Sequence, residues 1–258
     1  ILNKENTAYI GISQAFRPVI FKDIVPTSTY EVIDKNLKDA TGYNMEAGVR
    51  GKLFDYLQYD ISFFNLVYKN RMGTLVLQDN AGSSYTYKTN IGNSRTSGVE
   101  LFLQYKFPIS NYLYGGLFTS TSLMNARYIS GQVSTGSVNK SIEGNKVEAV
   151  PDWISRNGLE VLFKGFSCTL LYSYTSSSFS DALNTYDPPV SGAKGYTPSY
   201  SIWDLNATIK ATSNFTIRTG INNIFNKQYF TKRPTFYPGP GIWSSDGRNS
   251  YVTVSFKL

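Results

Sequence analysis

The feature that most constrains this chain is its rhythm of connections. Segments with period-two alternation of apolar and polar residues are joined by links that are long, then short, then long again. The alternation is clearest at the end. Val252, Val254, Phe256 and Leu258 fall on one face, and Tyr251, Thr253, Ser255 and Lys257 on the other. Trp203, Leu205, Ala207 and Ile209 likewise oppose Asp204, Asn206 and Thr208. Such alternation marks strands with one apolar side. It predicts about ten strands, near 6–16, 42–54, 56–70, 90–106, 112–127, 153–164, 166–178, 199–211, 214–223 and 248–258. Long links span 17–41, 71–89, 128–152, 179–198 and 224–247. Short ones lie at Phe54-Asp55, Phe107 to Asn111, Gly165 and Thr212-Ser213. Several of the strands reach the roughly 9–11 residues that cross a bilayer when tilted, beyond the mode of about 5–6 in globular sheets.

Short turns at one end and long loops at the other describe an outer-membrane barrel, with periplasmic turns and extracellular loops. The first strand then rises to the outside, and the last returns with Leu258 at the periplasm. In this arrangement the apolar faces meet lipid, and Glu46, Arg50, Glu100, Asp204, Asn206 and Arg218 point into the lumen as a charge network. A packed core does not hold so many charges, whereas a hydrated or plugged interior does. The predicted fold class is therefore all-β, an antiparallel transmembrane β-barrel. No run approaches the roughly 18 apolar residues of a membrane helix. Residues 28–40 are expected to hold a helical turn or two, and Tyr85-Thr86-Tyr87 to extend a hairpin above the membrane.

Composition narrows the chemistry. Tyr, Phe and Trp make up 15% of the chain, as interfacial aromatic girdles require, and Trp153, Trp203 and many Tyr are expected there. Histidine is absent, which removes Ser–His–Asp and Cys–His catalysis and His-based zinc sites. No carboxylate spacing supports an enzyme, and no cofactor or metal site is read. The net charge of +7 comes from scattered Lys and Arg without a basic run, so nucleic acid is not an expected partner. The lone Cys168 excludes an internal disulfide and is read as packing. No signal peptide opens the sequence at Ile1.

Several segments resemble the C-terminal barrel of TonB-dependent outer-membrane receptors. Tyr9 to Pro18 resembles a strand ending in a Phe-Arg-Pro corner. Asn44 to Gly51 is similar to a strand with an inward Glu before Gly, and Gly98-Val99-Glu100 to the start of a descending one. Gly220-Ile221-Asn222-Asn223-Ile224-Phe225-Asn226-Lys227-Gln228-Tyr229-Phe230 is the most specific match, and Gly247-Arg248-Asn249 leads into the last strand. Tyr237-Pro238-Gly239-Pro240-Gly241 suggests the ferric-citrate type. The chain departs from the family in ending on Leu258 rather than an aromatic.

The resemblance implies that residues 1–258 are the C-terminal portion of a barrel of about 22 strands, with the plug domain and first strands outside them. It implies TonB-coupled uptake of a scarce ligand, a siderophore or ferric citrate, in the bacterial outer membrane. The partners would be the TonB complex through the missing N-terminal region, the extracellular chelate and the lipid and lipopolysaccharide of the membrane. Arg17, Arg95, Arg233, Phe236, Tyr237 and Trp243 are the candidate ligand contacts, placed in long loops or inward near the outer rim. Arg suits an anionic chelate through bidentate hydrogen bonds. Two rival readings are a small self-closed pore or adhesin and a soluble carbohydrate-binding β-sandwich.

Overall fold

The computed structural model describes residues 5–234 and 239–257. Ten strands form the wall, each antiparallel to the next in chain order. They are β1 (Asn6–Arg17), β2 (Ala40–Leu53), β3 (Leu57–Gln78), β4 (Ser84–Ser110), β5 (Leu113–Ser134), β6 (Trp153–Phe163), β7 (Phe166–Thr175), β8 (Tyr200–Lys210), β9 (Phe215–Asn222) and β10 (Asn249–Phe256). The sheet is open: β1 and β10 are its edges and do not pair with each other.

Register fixes the two faces. Arg50, Asp60, Phe102, Ser120 and Arg156 are successive cross-strand partners along one row of the polar face. Ala47, Phe63, Val99, Leu123 and Trp153 form a row of the opposite, apolar face. That apolar face is uncovered: Phe63 is 61%, Leu123 50% and Leu159 48% exposed. Val252, Val254 and Phe256, on which the alternation argument began, are 60–70% exposed. Among the described residues no second sheet packs on this side, which removes the sandwich. On β5 the apolar side runs from Leu113 to Leu123. At ~3.3 Å per residue and a tilt near 40° this is about 25 Å, the height of a barrel's lipid-facing band. Trp153 with Tyr174, and Tyr172 with Trp203, pair at ring separations of 4.8 Å on this face. Cys168 shares it with its register partners Val161 and Ala207.

The short turns carry residues whose backbone needs them. Phe54 and Asp55 (φ 52° and 55°) in the three-residue connection 54–56, and Lys164 (φ 48°) in the two-residue connection 164–165, sit in left-handed conformations that close tight turns. Small residues on the polar face admit neighbouring rings. A Cβ on Gly158 would lie 2.0 Å from the Phe118 ring, and one on Gly98 2.6 Å from Phe64.

Two expectations change. Segment 71–89 is mostly strand, because β3 and β4 run on past the lipid band to a tight turn at 79–83. There Asp79 Oδ1 accepts the Ala81 and Ser83 N–H groups. The hairpin expected at Tyr85-Thr86-Tyr87 is this extension. Segment 28–40 holds no helix. Glu31–Ile33 is a strand lying parallel to Thr86–Lys88, since the protruding β4 offers free backbone groups and Val32 and Ile33 are β-branched. The one helix among the described residues is the single turn Phe21–Ile24.

The largest buried apolar cluster sits beyond the lipid band, on the polar face of upper β5. Ala126 and Tyr128 pack there against Ile142 and Val147 of the 135–152 loop, with Ala182 and Leu183 of the following loop alongside. The extracellular loops thus form a cap with its own small core.

Candidate functional site

The polar face carries three constellations. The first lies on the periplasmic half of β1–β5, around a cavity of about 1020 Å³. The Tyr9 hydroxyl lies 3.2 Å from Glu46 Oε1 and 3.4 Å from Asp60 Oδ1, so its single proton serves either carboxylate. The Arg50 guanidinium sits 5.4 Å over the Tyr9 ring. Glu100 and Ser122 are cross-strand partners lining the same space, and Ser122 Oγ is buried without a hydrogen bond.

The expected charge network takes a different form. Among the described residues, Glu46, Arg50, Glu100, Asp204 and Arg218 make no ion pairs with one another; the shared Tyr9 proton and ring replace them. Asp204 is engaged elsewhere, its Oδ1 accepting the Asn223 N–H at 2.7 Å. Asn206 accepts from the Tyr251 hydroxyl at 2.9 Å, across Gly220. Arg218 faces the same way, between Thr208 and Thr253.

The second constellation secures the cap. Arg71 follows Asn70, whose φ of 57° accompanies a bulge in the β3–β4 ladder. It bridges to Glu148 at 3.0 Å and stacks over Tyr68 and Tyr128 at 5.4 and 5.2 Å. The Tyr128 hydroxyl donates to the other Glu148 oxygen at 2.5 Å. Burial first, and the hydrogen bond to Glu148 second, hold that hydroxyl well above the usual tyrosine range, so it remains a donor. The group ties the 135–152 loop to the wall. Its residues are separated by 77 positions, and no local pattern announced it.

The third lies under the last loop. Asn223 (φ 51°) is buried, its Nδ2 donating to Lys227 O at 2.9 Å while its Oδ1 accepts Lys227 N at 2.8 Å. Asn226 (φ 51°) accepts the Arg248 N–H at 2.9 Å and so fastens the far end of the loop. The most specific sequence motif is therefore a structural knot. Above it, Phe230–Lys232 pairs with Trp243–Ser244. A cavity of about 520 Å³ opens there, lined by Asp204, Tyr229, Lys232, Trp243 and Asp246 among others. Tyr229 is held by stacking on Tyr200 at 4.5 Å.

The candidate contacts fall in different places. Arg17 chelates buried Asp23 at 2.9 and 3.1 Å and thereby holds the Phe-Arg-Pro corner. Burial pushes the Asp23 carboxyl up. The Ile20 N–H, Arg17 and Lys88 outweigh this and leave it below its ordinary value. Arg233 spends its guanidinium on the Tyr196 and Gly192 carbonyls, pinning one loop to another, and lies over Phe230 at 4.9 Å. Arg95 requires a correction. It shares a face with Val99 and points outward, because alternation along β4 puts odd positions on the apolar side. Trp243 is exposed at the cavity mouth. Phe236 and Tyr237 lie outside the described residues. Sequence reading missed Lys232 and Tyr229, whose signal was their place between the Asn223 motif and Trp243.

An open antiparallel sheet with a lipid-facing apolar band, a charged inner face, short turns at one end and a loop cap at the other is a wall segment of an outer-membrane β-barrel. The chain belongs to the family of TonB-dependent receptor-like β-barrels, whose profile matches residues 2–224. It is similar to the vitamin B12 transporter BtuB of Vibrio vulnificus, at 23% identity over 86% of this chain and 31% of that protein. It is similar also to the ferric enterobactin receptor PirA of Pseudomonas aeruginosa, at 23% identity over 88% of this chain and 29% of that one. Among solved structures, the unliganded ferric citrate transporter FecA superposes with a TM-score of 0.76 at 19% identity. That match covers 100% of this chain and 37% of FecA. The chain thus spans about a third of the length of the proteins it matches, and its place is the bacterial outer membrane.

Proposed function

We propose that residues 1–258 are the C-terminal part of a receptor wall through which an anionic ferric chelate, a siderophore or ferric citrate, is taken up in a TonB-dependent cycle. On this reading the plug domain, the remaining strands and the TonB contact belong to a preceding region, and no covalent bond is made or broken in the cargo. The observation that carries the reading is the cavity under the last loop. Among the described residues, the Lys232 and Trp243 side chains there make none of the hydrogen bonds that occupy Arg17 and Arg233. Segment 224–248 holds four cations, Lys227, Lys232, Arg233 and Arg248, against one acid, Asp246. Such a balance at a mouth concentrates anions, and an aromatic beside a cation suits a planar chelate with charged edges. Two of the three similar proteins named above are iron-chelate receptors by name.

The test is uptake of radiolabelled iron by cells that express the full-length protein in place of their own receptors, with and without TonB. Ferric citrate, a ferric siderophore panel and cobalamin are compared. TonB-dependent accumulation of at least one ferric chelate is expected. Cobalamin uptake with no chelate uptake overturns the assignment.

A further inference from the structure

The outward side of Arg95 belongs to a second surface. Arg95 and Arg127 are direct cross-strand partners on β4 and β5, and Arg127 is in turn bridged to Lys146. All three therefore share the outward face. Lys69, exposed on β3 two residues beyond Val67, the cross-strand partner of Arg95, joins the row and lies 5.8 Å from the centre of the Tyr43 ring. Like charges placed directly opposite in a sheet repel, so this row costs stability unless an anion sits across it.

Internal anions do not fill that role. Lys146 is neutralised by Asp152, but Arg95, Arg127 and Lys69 meet no carboxylate among the described residues. Instead, Arg95 Nε donates to Asn65 Oδ1 at 2.6 Å and Arg127 Nε to Asn125 Oδ1 at 3.1 Å. Asn65 and Asn125 occupy one outward row, immediately below. The two Asn side chains thus orient the forks. Arg127 Nη1 donates to the Gly144 carbonyl at 2.7 Å, whereas its other terminal nitrogen and, among the described residues, both of those of Arg95 remain open. Height completes the argument. Arg127 is four residues beyond Leu123, the top of the apolar band on β5, which is about 10 Å higher at ~3.3 Å per residue and a tilt near 40°. This is the level of the outer-leaflet headgroups, on the loop side.

We infer that Lys69, Arg95 and Arg127 form a docking site for the phosphates of an outer-leaflet glycolipid of the lipopolysaccharide type. The open Arg95 fork takes phosphate oxygens in bidentate fashion and Arg127 adds one further donor, while acyl chains lie on Val99, Leu123 and Phe63 below. The inference rests on the outer-membrane reading of the wall and is independent of the cargo.

The test uses the full-length receptor in non-ionic detergent and measures binding of bis-phosphorylated lipid A by native mass spectrometry. Enzymatically dephosphorylated lipid A and inorganic phosphate are run alongside. Lipid A is expected to bind at least tenfold more tightly than its dephosphorylated form, and to weaken as salt rises. The double variant Arg95→Gln, Arg127→Gln is expected to lose at least tenfold. Arg95→Lys, Arg127→Lys keeps the charge but not the fork, so its binding is expected to fall between that of the parent and that of the Gln variant. Equal binding of the dephosphorylated lipid, competition by micromolar inorganic phosphate, or a folded Gln variant within twofold of the parent each overturns the proposal. The phosphate-removal and salt arms need no variant. Binding of ferric chelate to the same preparations is read separately, so loss of one reading leaves the other standing.

Discussion

Replacing Asn223 by Ala isolates what the most specific motif of the chain does. The side chain makes two good hydrogen bonds with Lys227, at 2.8 and 2.9 Å, and a longer one to Asp246 O at 3.4 Å. The residue is only 4% exposed, so the Lys227 groups left behind have little access to water. Two such bonds with their unsatisfied partners are worth ~2–4 kcal/mol. Holding a Cβ residue without Asn's local bonding at φ 51° adds ~1 kcal/mol. The sum, about 3–5 kcal/mol, is a hundred- to few-thousand-fold rise in the opening constant of segment 223–248, at 1.4 kcal/mol per decade. Amide hydrogen exchange on the full-length receptor in detergent reads it, because local opening is what exchange reports. Asn223→Gly should recover the conformational part, about fivefold at ~1 kcal/mol, and no more. Asn223→Asp keeps acceptance from Lys227 N, loses both donations and sets a second carboxylate near Asp204, so it should exchange nearly as fast as Ala. If Ala leaves protection of 223–248 within threefold of the parent, the knot does not hold the loop and the energetic account is wrong.

Asp23→Asn should free Arg17 and Lys88 together, loosening the corner at 17–24. Because the folded carboxyl of Asp23 lies below its ordinary value, its contribution is full above about pH 4 and lost as pH falls through the lowered folded value. Exchange across 18–24 should therefore quicken on acidification in the parent and lose that pH response in the variant. Gly158→Val places a side chain 2.0 Å from the Phe118 ring, and overpacking of ~1–3 kcal/mol should lower the urea midpoint of the folded barrel. An unchanged midpoint refutes close packing of the polar face there. Arg71→Met strands Glu148 beside the Tyr128 hydroxyl, and protease should then cut 135–152 at least tenfold faster. Equal cutting refutes the tie. Trp243→Ala and Lys232→Gln should each weaken chelate binding about tenfold, read by fluorescence titration, whereas unchanged affinity would remove the last-loop cavity from the binding site.

Most of the wall was legible because period-two alternation is a local signal. Each of Val252, Val254 and Phe256 declares its face without reference to any other strand. The same rule, applied to Arg95, should have counted it with Val99 and Ser97 on the outer side. The proximity of Arg95 to the loop end concealed this, since position along a strand and face are separate variables. What stayed hidden depends on partners distant in sequence. Arg17 is consumed by a carboxylate six residues away across a turn, Arg233 by carbonyls 37 and 41 positions back, and Arg71 by an acid 77 positions on. The helix expected in 28–40 failed for a related reason. Weak local propensity yields when a neighbouring strand supplies an unpaired backbone edge, here residues 86–88 of β4.

The open edges bear on whether the chain is a self-contained barrel or a segment of a larger wall. Among the described residues, β1 from Thr7 to Arg17 and β10 from Asn249 to Phe256 pair with a neighbouring strand on one side only. In the hydrocarbon, each unsatisfied N–H or C=O costs several kcal/mol. About half the backbone groups of each edge point outward from the sheet, so the two edges together forfeit tens of kcal/mol. That exceeds the ~5–15 kcal/mol by which whole domains are stable. The pairing of β1 with β10 that would relieve it is not made. We propose that other strands cover these two edges in the membrane, in keeping with a chain that spans about a third of the length of the proteins it matches. If residues 1–258 alone refolded into vesicles with heat-modifiable mobility and fully protected β1 and β10 amides, the sheet would have closed on itself and this account of the wall would fail.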